Sequence, residues 1–330
     1  MATLYLDRAQ LELRVDGDAL AMYEGGERRG TVPTKLLERV VIQGRQTRLE
    51  TGVLARLGEA GATTLIMSPR KHRRLALVLG PCHNDAGIRI AQVERFLDTP
   101  FCEAWGRDLI SAKLQRQQRL LKQAMVQRPD ASHALKHAVE ALSRALEGIG
   151  ASNTPGLNTL RGMEGAAARA YFQAFTHLFA PALRFGGRNR RPPRDPVNAC
   201  LSLAYTLLHF DAVRAAHMAG LDPLIGFYHR PSFGRESLAS DLIEPLRPVT
   251  DGWVWSLFRS EILRPDHFSQ DGDACLLGKA GRQQFYEHWE SHAPRHRRWL
   301  RARCTRLARH LRDEGQRWLE DEHSRELEMP

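Results

Sequence analysis

"RLALVLGPCHNDAG", Arg74 to Gly87, is the stretch on which the fold turns. Its first half is a short apolar run without helical spacing and reads as a strand. Upstream lies more of the same texture. "TLYLD" and "LELRV" run apolar or alternate, and "DGDAL" separates them as a turn before another short strand. "RVVIQG" is a β-branched run closed by glycine, "ETGVLARLGEAG" a short amphipathic helix, and "TTLIMS" a further strand. Beyond Gly87 the apolar residues return at spacings of three and four. The expected fold is therefore α+β. A small, mostly β N-terminal domain over residues 1–85 joins a larger all-α C-terminal domain over residues 86–330.

The helical part is legible in several pieces. "DLISAKLQRQQRLLKQAM" places Leu109, Leu114, Leu120, Leu121 and Met125 among basic and glutamine positions, and "HALKHAVEALSRALEGI" continues the pattern. "PVNACLSLAYTLLHFDAVRAAHMAG" is apolar enough for a central core helix. Ahead of it, "RFGGRNRRPPRDP" (Arg184–Pro196) is a break in regular structure, because its prolines stop helix and its glycines loosen the chain. With five arginines it is either a solvated loop or an arm that orders on nucleic acid. No internal repeat is visible.

Composition narrows the function classes. The chain of 330 residues has a formal net charge of +10, which points to a polyanionic partner. Of its 48 basic residues 42 are arginine. Arginine's planar fork suits bidentate phosphate contacts, although codon usage in a GC-rich genome gives the same ratio. Apolar runs fall far short of a membrane span, and "MATLYLDRAQ" lacks the apolar stretch of a signal peptide. The five cysteines lie far apart with no CxxC pair, which suits a reducing cytoplasm and argues against structural zinc.

Candidate chemistry gathers in three segments. "LASDLIEP" holds Asp241 and Glu244 three apart, so on a helix they share a face while Leu238, Leu242 and Leu246 turn inward; Pro245 ends or bends that helix. "GFYHRPSF" supplies His229 after a turn at Gly226. "LRGMEGAAARAYF" places Glu164 among small residues (Gly162, Gly165, Ala166, Ala167) that allow another backbone to come close, beside Arg161 and Arg169. An acid in that patch needs a cation: an arginine such as Arg169, or a metal ion. One imidazole with two carboxylates suits Mn2+ or Mg2+ with positions left open for water and substrate. Each segment alone also reads as an ordinary solvated or packed surface.

Together "LRGMEGAAARAYF", "RRPPRDPVNACLSLAYTLL" and "IGFYHRPSFGRESLASDLIEPLRP" resemble the CRISPR-associated spacer-acquisition integrases, the family called Cas-one. The likeness runs in order up to about Pro248; residues 249–330 match more loosely. It implies a small β domain for dimerisation and partner contacts, a helical catalytic domain, and a homodimer. That homodimer would assemble with a small Cas-two partner on double-stranded DNA, both the incoming fragment and the CRISPR array. It implies an endonuclease and integrase using Mn2+ or Mg2+. Glu164, His229 and Glu244 match the family's metal ligands, and Asp241 a second acid that supports the site or substitutes in coordination. Arg169, Arg188, Arg190, Arg191, Arg230 and Arg235 are candidates for holding DNA. A non-catalytic nucleic-acid-binding scaffold is the alternative. The C-terminal run, with eight arginines from Arg295 to Arg312 and a stripe of Trp299, Leu300, Leu307 and Leu311, reads equally as a DNA-contacting helix or as a docked helix with a basic outer face.

Overall fold

The computed structural model describes residues 2–319 apart from 45, 69–73, 82, 84, 152–154, 190 and 191. The N-terminal region runs β1 (Ala2–Leu6), β2 (Leu11–Asp16), β3 (Ala19–Glu24), β4 (Glu27–Pro33), β5 (Leu37–Ile42), β6 (Arg48–Leu49), α1 (Thr51–Glu59), β7 (Thr63–Met67) and β8 (Arg74–Val78). Two four-stranded sheets result, ordered β1-β5-β7-β8 and β4-β3-β2-β6. In the first, β1, β5 and β7 are parallel and β8 closes the edge antiparallel. Every residue of β5 is buried, as a central parallel strand covered on both faces requires.

The second sheet is built on hairpins. Gly25 and Gly26, at φ of 63° and 84°, make the two-residue turn between β3 and β4. That geometry matches the twist of antiparallel strands and is strained for residues with a Cβ. β4 ("ERRGTVP") carries almost no apolar residues because it is an exposed edge strand, so no hydrophobic pattern announces it. Leu6, Leu13, Leu20, Val40, Val53 and Leu57 form the centre of a common core. Each such side chain contributes about 1.5–3 kcal/mol of burial.

Strand texture gives way to helix between Val78 and Ala86, after which come α2 (Ala86–Leu97), α3 (Thr99–Gln127), α4 (Ser132–Gly150), α5 (Leu157–Thr176), α6 (Pro196–Met218), α7 (Ser237–Ile243) and α8 (Arg247–Arg259). An antiparallel hairpin, β9 (Phe268–Asp271) and β10 (Ala274–Leu277), is an addition to the all-α region expected there; α9 (Lys279–Gly315) follows. Caps explain two of the starts. Asp85 accepts from the Ile88 amide at 3.3 Å, and Asp98 from the Phe101 amide at 3.1 Å, with Pro100 in the first turn of α3.

Contacts divide the chain into two compact units, residues 1–82, 190–210 and 263–292, and residues 83–189, 211–262 and 293–330. A single break near residue 85 does not describe them, because the unit containing the β strands also takes in two later segments. The four described cysteines, Cys102, Cys200, Cys275 and Cys304, are free and buried; Cys82 lies outside the described residues. Among the described residues, no helix is long and apolar enough to cross a membrane.

Candidate active site

All the segments that matter here belong to the second unit. The loop carrying His229 is held against α7 and α3 by close packing. A Cβ on Gly226 would sit 2.6 Å from the Ser237 carbonyl carbon and 2.8 Å from the Leu238 nitrogen, so only glycine lets the loop lie on the start of α7. Phe227 then packs edge-on against Phe101 and Trp105 of α3, at 5.1 Å from each ring centre. Gly106 of α3 makes room for the next side chain: a Cβ there would approach Tyr228 Cδ2 to 2.8 Å.

Asp241 on α7 fixes the loop electrostatically. It is fully buried, and its Oδ2 accepts the amides of Phe227 (2.8 Å) and Tyr228 (3.0 Å). Its Oδ1 takes the His229 amide (2.9 Å) and sits 2.7 Å from His229 Nδ1. An ionised carboxylate only accepts, so Nδ1 must carry the proton. That choice leaves Nε2 on the other side of the ring, 3.9 Å from Glu244 Oε1.

Glu244 opens the 3-10 turn Glu244–Leu246 that Pro245 forces between α7 and α8, and it is buried. Oε1 accepts from Arg247 Nε at 2.9 Å. Oε2 faces Lys113 Nζ at 2.6 Å in an ion pair. Burial pushes the Glu244 carboxyl up, but Arg247, Lys113 and His229 outweigh it and hold the group well below the usual carboxylate range. Glu164 on α5 meets the same ammonium at 2.5 Å and accepts the Tyr228 hydroxyl at 2.7 Å. Burial, then the Glu164 charge, raises the Tyr228 phenol so that it stays a donor. Arg161, one turn before Glu164, donates to the Tyr228 carbonyl at 2.5 Å and lies over its ring.

Glu164, His229, Asp241 and Glu244 are thus brought together, although the first and last are 80 residues apart in the chain. Asp241 and Glu244 are both buried, but they face opposite nitrogens of His229. The partners of Glu164 are Lys113 and Tyr228 rather than Arg169, which is exposed. Among the described residues no other backbone lies against the glycines beside Glu164: Gly162 and Gly165 face open space, and of the small residues there only Ala167 is buried. Lys113, one of the basic positions of "DLISAKLQRQQRLLKQAM", is buried. It falls on the inward stripe Gly106, Ile110, Lys113, Gln117, Leu121 and Ala124, a phase that the spacing of α3 already contains.

Two carboxylates and an imidazole are the right donors for a hard divalent ion, and a cation, the Lys113 ammonium, already sits against one oxygen of each carboxylate, so the residues fit such a group. Among the described residues, no three acid, histidine or cysteine side chains are arranged to hold an ion. The point where Glu164 and Glu244 converge is the position of the Lys113 ammonium.

A cleft of about 570 Å³ lies along the same helix, lined by Arg116, Arg119, Arg259 and Arg295 with Trp255 and Gln123. Arg116 is one turn from Lys113 and donates to the Pro245 carbonyl at 2.6 Å, so this cleft adjoins the carboxylates. Arg230 and Arg235 are exposed on the loop before α7, and Arg188 bonds the Asn189 carbonyl; Arg190 and Arg191 lie outside the described residues. In α9, Leu300, Leu307 and Leu311 are buried, which docks the basic C-terminal run by its apolar stripe.

Fold and site define a class: an α+β protein whose helical part gathers acids, a histidine and a lysine beside an arginine-lined cleft. The family model described as CRISPR associated protein Cas1 matches residues 4–291, and the chain belongs to that family. It is 37% identical to a CRISPR-associated endonuclease Cas1 of Thermodesulfovibrio yellowstonii, over 95% of this chain and 98% of that one. Among solved structures it is similar to a CAS1 protein from Thermotoga maritima, with a TM-score of 0.82, 20% identity, and 94% and 97% of the two chains covered. It also shares its fold with a casposase bound to integration product, at a TM-score of 0.82, 20% identity, and 95% and 91% coverage.

Proposed function

We propose that this chain is a metal-dependent DNA integrase and endonuclease of CRISPR adaptation. The observation that carries the reading is that one oxygen of Glu164 and one of Glu244 meet at the Lys113 ammonium, while Asp241 holds the His229 imidazole with Nε2 3.9 Å from Glu244 Oε1. Those three side chains would hold Mn2+ or Mg2+, which when bound supplies charge stabilisation at a phosphoryl group and acidifies a nearby hydroxyl. The 3′-hydroxyl of a DNA fragment attacks a phosphodiester at the repeat boundary. A new P–O bond forms, the P–O bond to the repeat's own 3′ oxygen breaks, and that oxygen leaves as a hydroxyl. The number of phosphodiesters is conserved, so no energy source is required; with water as the nucleophile the same geometry gives hydrolysis.

The protein's own side chains orient these groups. Tyr228 keeps Glu164 in place through its hydroxyl. Arg119, Arg259 and Arg295 line the cleft in which a phosphate backbone would lie, with the exposed Arg169, Arg230 and Arg235 and the half-buried Arg188 as outer contacts. The family relationship supports double-stranded DNA, a second copy of the chain and the small Cas-two protein as partners, with the first 85 residues as the contact surface.

One observation favours the scaffold reading: Lys113 already neutralises both carboxylates, which makes the cluster complete as a structural ion network. Strand joining separates the two. The assay combines the protein, its small partner, a labelled short duplex and a plasmid carrying the repeat, with Mn2+ or EDTA. Joining is expected with the ion only. It should fall by about a thousandfold or more in Glu164→Ala and in His229→Ala, with DNA binding retained. DNA binding without joining or cleavage under any ion would establish the scaffold.

A further inference from the structure

The buried lysine is the element of this cluster that the integration chemistry leaves without a role. Lys113 projects from the inward stripe of α3 and is 8% exposed. Lysine is almost never this buried without partners, because its ammonium is strongly hydrated. Burial alone would lower its pKa, but Glu244 and then Glu164 more than offset that and keep it charged. Nζ contacts Glu164 Oε1 at 2.5 Å and Glu244 Oε2 at 2.6 Å, one oxygen from each proposed ligand.

We propose that Lys113 is a built-in occupant of the cation position, holding Glu164 and Glu244 together while no ion is bound and withdrawing when a divalent ion enters. This rests on the reading of Glu164, Glu244 and His229 as ion ligands. An ion bonded to those two oxygens, at the roughly 2.0–2.6 Å typical of Mg2+ or Ca2+ with oxygen, would overlap the space Nζ fills. It would also place a double positive charge against the ammonium in a poorly solvated site. The two occupants therefore exclude one another. Lysine suits such a part, since its head is a point charge on a flexible four-carbon stem and can leave without moving α3. Without it, the metal-free protein would hold two facing carboxylates, with Arg247 and His229 lying beside Glu244 and no lysine between the two acids. The lysine thus makes the empty site stable and sets a threshold that an ion must exceed to enter.

The test is Mn2+ binding by titration calorimetry on the wild type, Lys113→Met and Glu164→Gln, together with melting curves with and without the ion. Lys113→Met keeps the length of the side chain and removes its charge. It is expected to bind Mn2+ at least about tenfold more tightly than the wild type, and to show a larger Mn2+-induced rise in melting temperature from a lower starting point. Wild-type binding that Lys113→Met leaves unchanged or weakens would overturn the proposal while leaving the ligand assignment intact. Absence of Glu164-dependent binding in every variant would overturn the ligand assignment and this proposal with it.

Should Lys113→Met fail to fold, amine labelling of the wild type read by mass spectrometry answers the same question, since the chain has only six lysines. Saturating Mg2+ is expected to raise labelling of Lys113 about tenfold relative to the other lysines, as an ammonium released from a buried ion pair becomes accessible. Labelling of Lys113 that does not respond to Mg2+ would overturn the proposal.

Discussion

Two buried patches of this protein reach the same low exposure by opposite routes. In the N-terminal region Leu6, Leu13, Leu20, Val40 and Leu57 fill the interior with hydrocarbon, and any one of them contributes its own share. Around α3, α5 and α7 the interior instead encloses Lys113, Asp241 and Glu244, each acceptable there only because of its polar partners: Lys113 and Glu244 one another, Asp241 three amides and His229. Apolar burial fails gradually, since a truncated side chain leaves a cavity whose cost scales with its size. Charged burial fails abruptly, since removing one member leaves its partner desolvated and unpaired. The second kind of patch is the harder to keep folded, but it is the kind whose charges can exchange partners, which is what a catalytic site requires.

The sharpest way to set the two apart is to remove the centre of the polar patch. Asp241→Ala deletes the acceptor of three backbone amides and of His229 Nδ1 in a fully buried position. It should cost about 3–5 kcal/mol in urea unfolding. Asp241→Asn should cost less but still disturb the imidazole, because its amide cannot accept at every one of those donors. A cost below about 1 kcal/mol for Asp241→Ala would mean that the aromatic packing of Phe227, and not the carboxylate, holds the loop. Leu13→Ala, at a fully buried core position, should cost about 2–5 kcal/mol and leave Mn2+ affinity per folded molecule unchanged. A changed affinity there would show that the two patches are energetically linked.

How far each patch was legible follows from the same contrast. The strands of the N-terminal region are written in period-two and continuous apolar runs, and β5 ("LERVVI") identifies itself by the β-branched run Val40, Val41 and Ile42 that ends it. What was lost there is β4, whose edge position removes the need for a pattern. In the helical part Glu164, His229, Asp241 and Glu244 stood out as candidates, but their roles did not. Nothing local tells that Asp241 faces Nδ1 while Glu244 faces Nε2, or that Tyr228 rather than an arginine steadies Glu164. Those pairs are 12, 15 and 64 residues apart in the chain and lie on different elements, so only the packed chain defines them. Lys113 is the instructive miss. A lysine among glutamines and arginines reads as solvated, yet its phase on α3 with Gly106, Ile110 and Gln117 pointed inward all along.

A third buried polar group shows what enclosure does to a side chain that titrates near neutrality. His296 on α9 is 3% exposed, and burial, aided by Arg116 and Arg297 and opposed by Asp211, holds its imidazole down at about 4. At pH 7 the ring is neutral in the folded and the unfolded chain alike, so its burial carries no penalty there. Below the unfolded value near 6.5 the unfolded chain takes up a proton that the native protein refuses until about 4. The contribution is therefore complete above about pH 6.5 and is lost progressively as pH falls toward 4. His296→Gln removes the titrating group, so the stability difference between variant and wild type should shift in the variant's favour by about 2–3 kcal/mol across that window. Carboxylates that titrate near pH 4 are common to both proteins and cancel in the difference. Parallel stability curves from pH 7 to 4 would mean that His296 is protonated in the native state, and that this interior, like the one around Lys113, stabilises charge by pairing it.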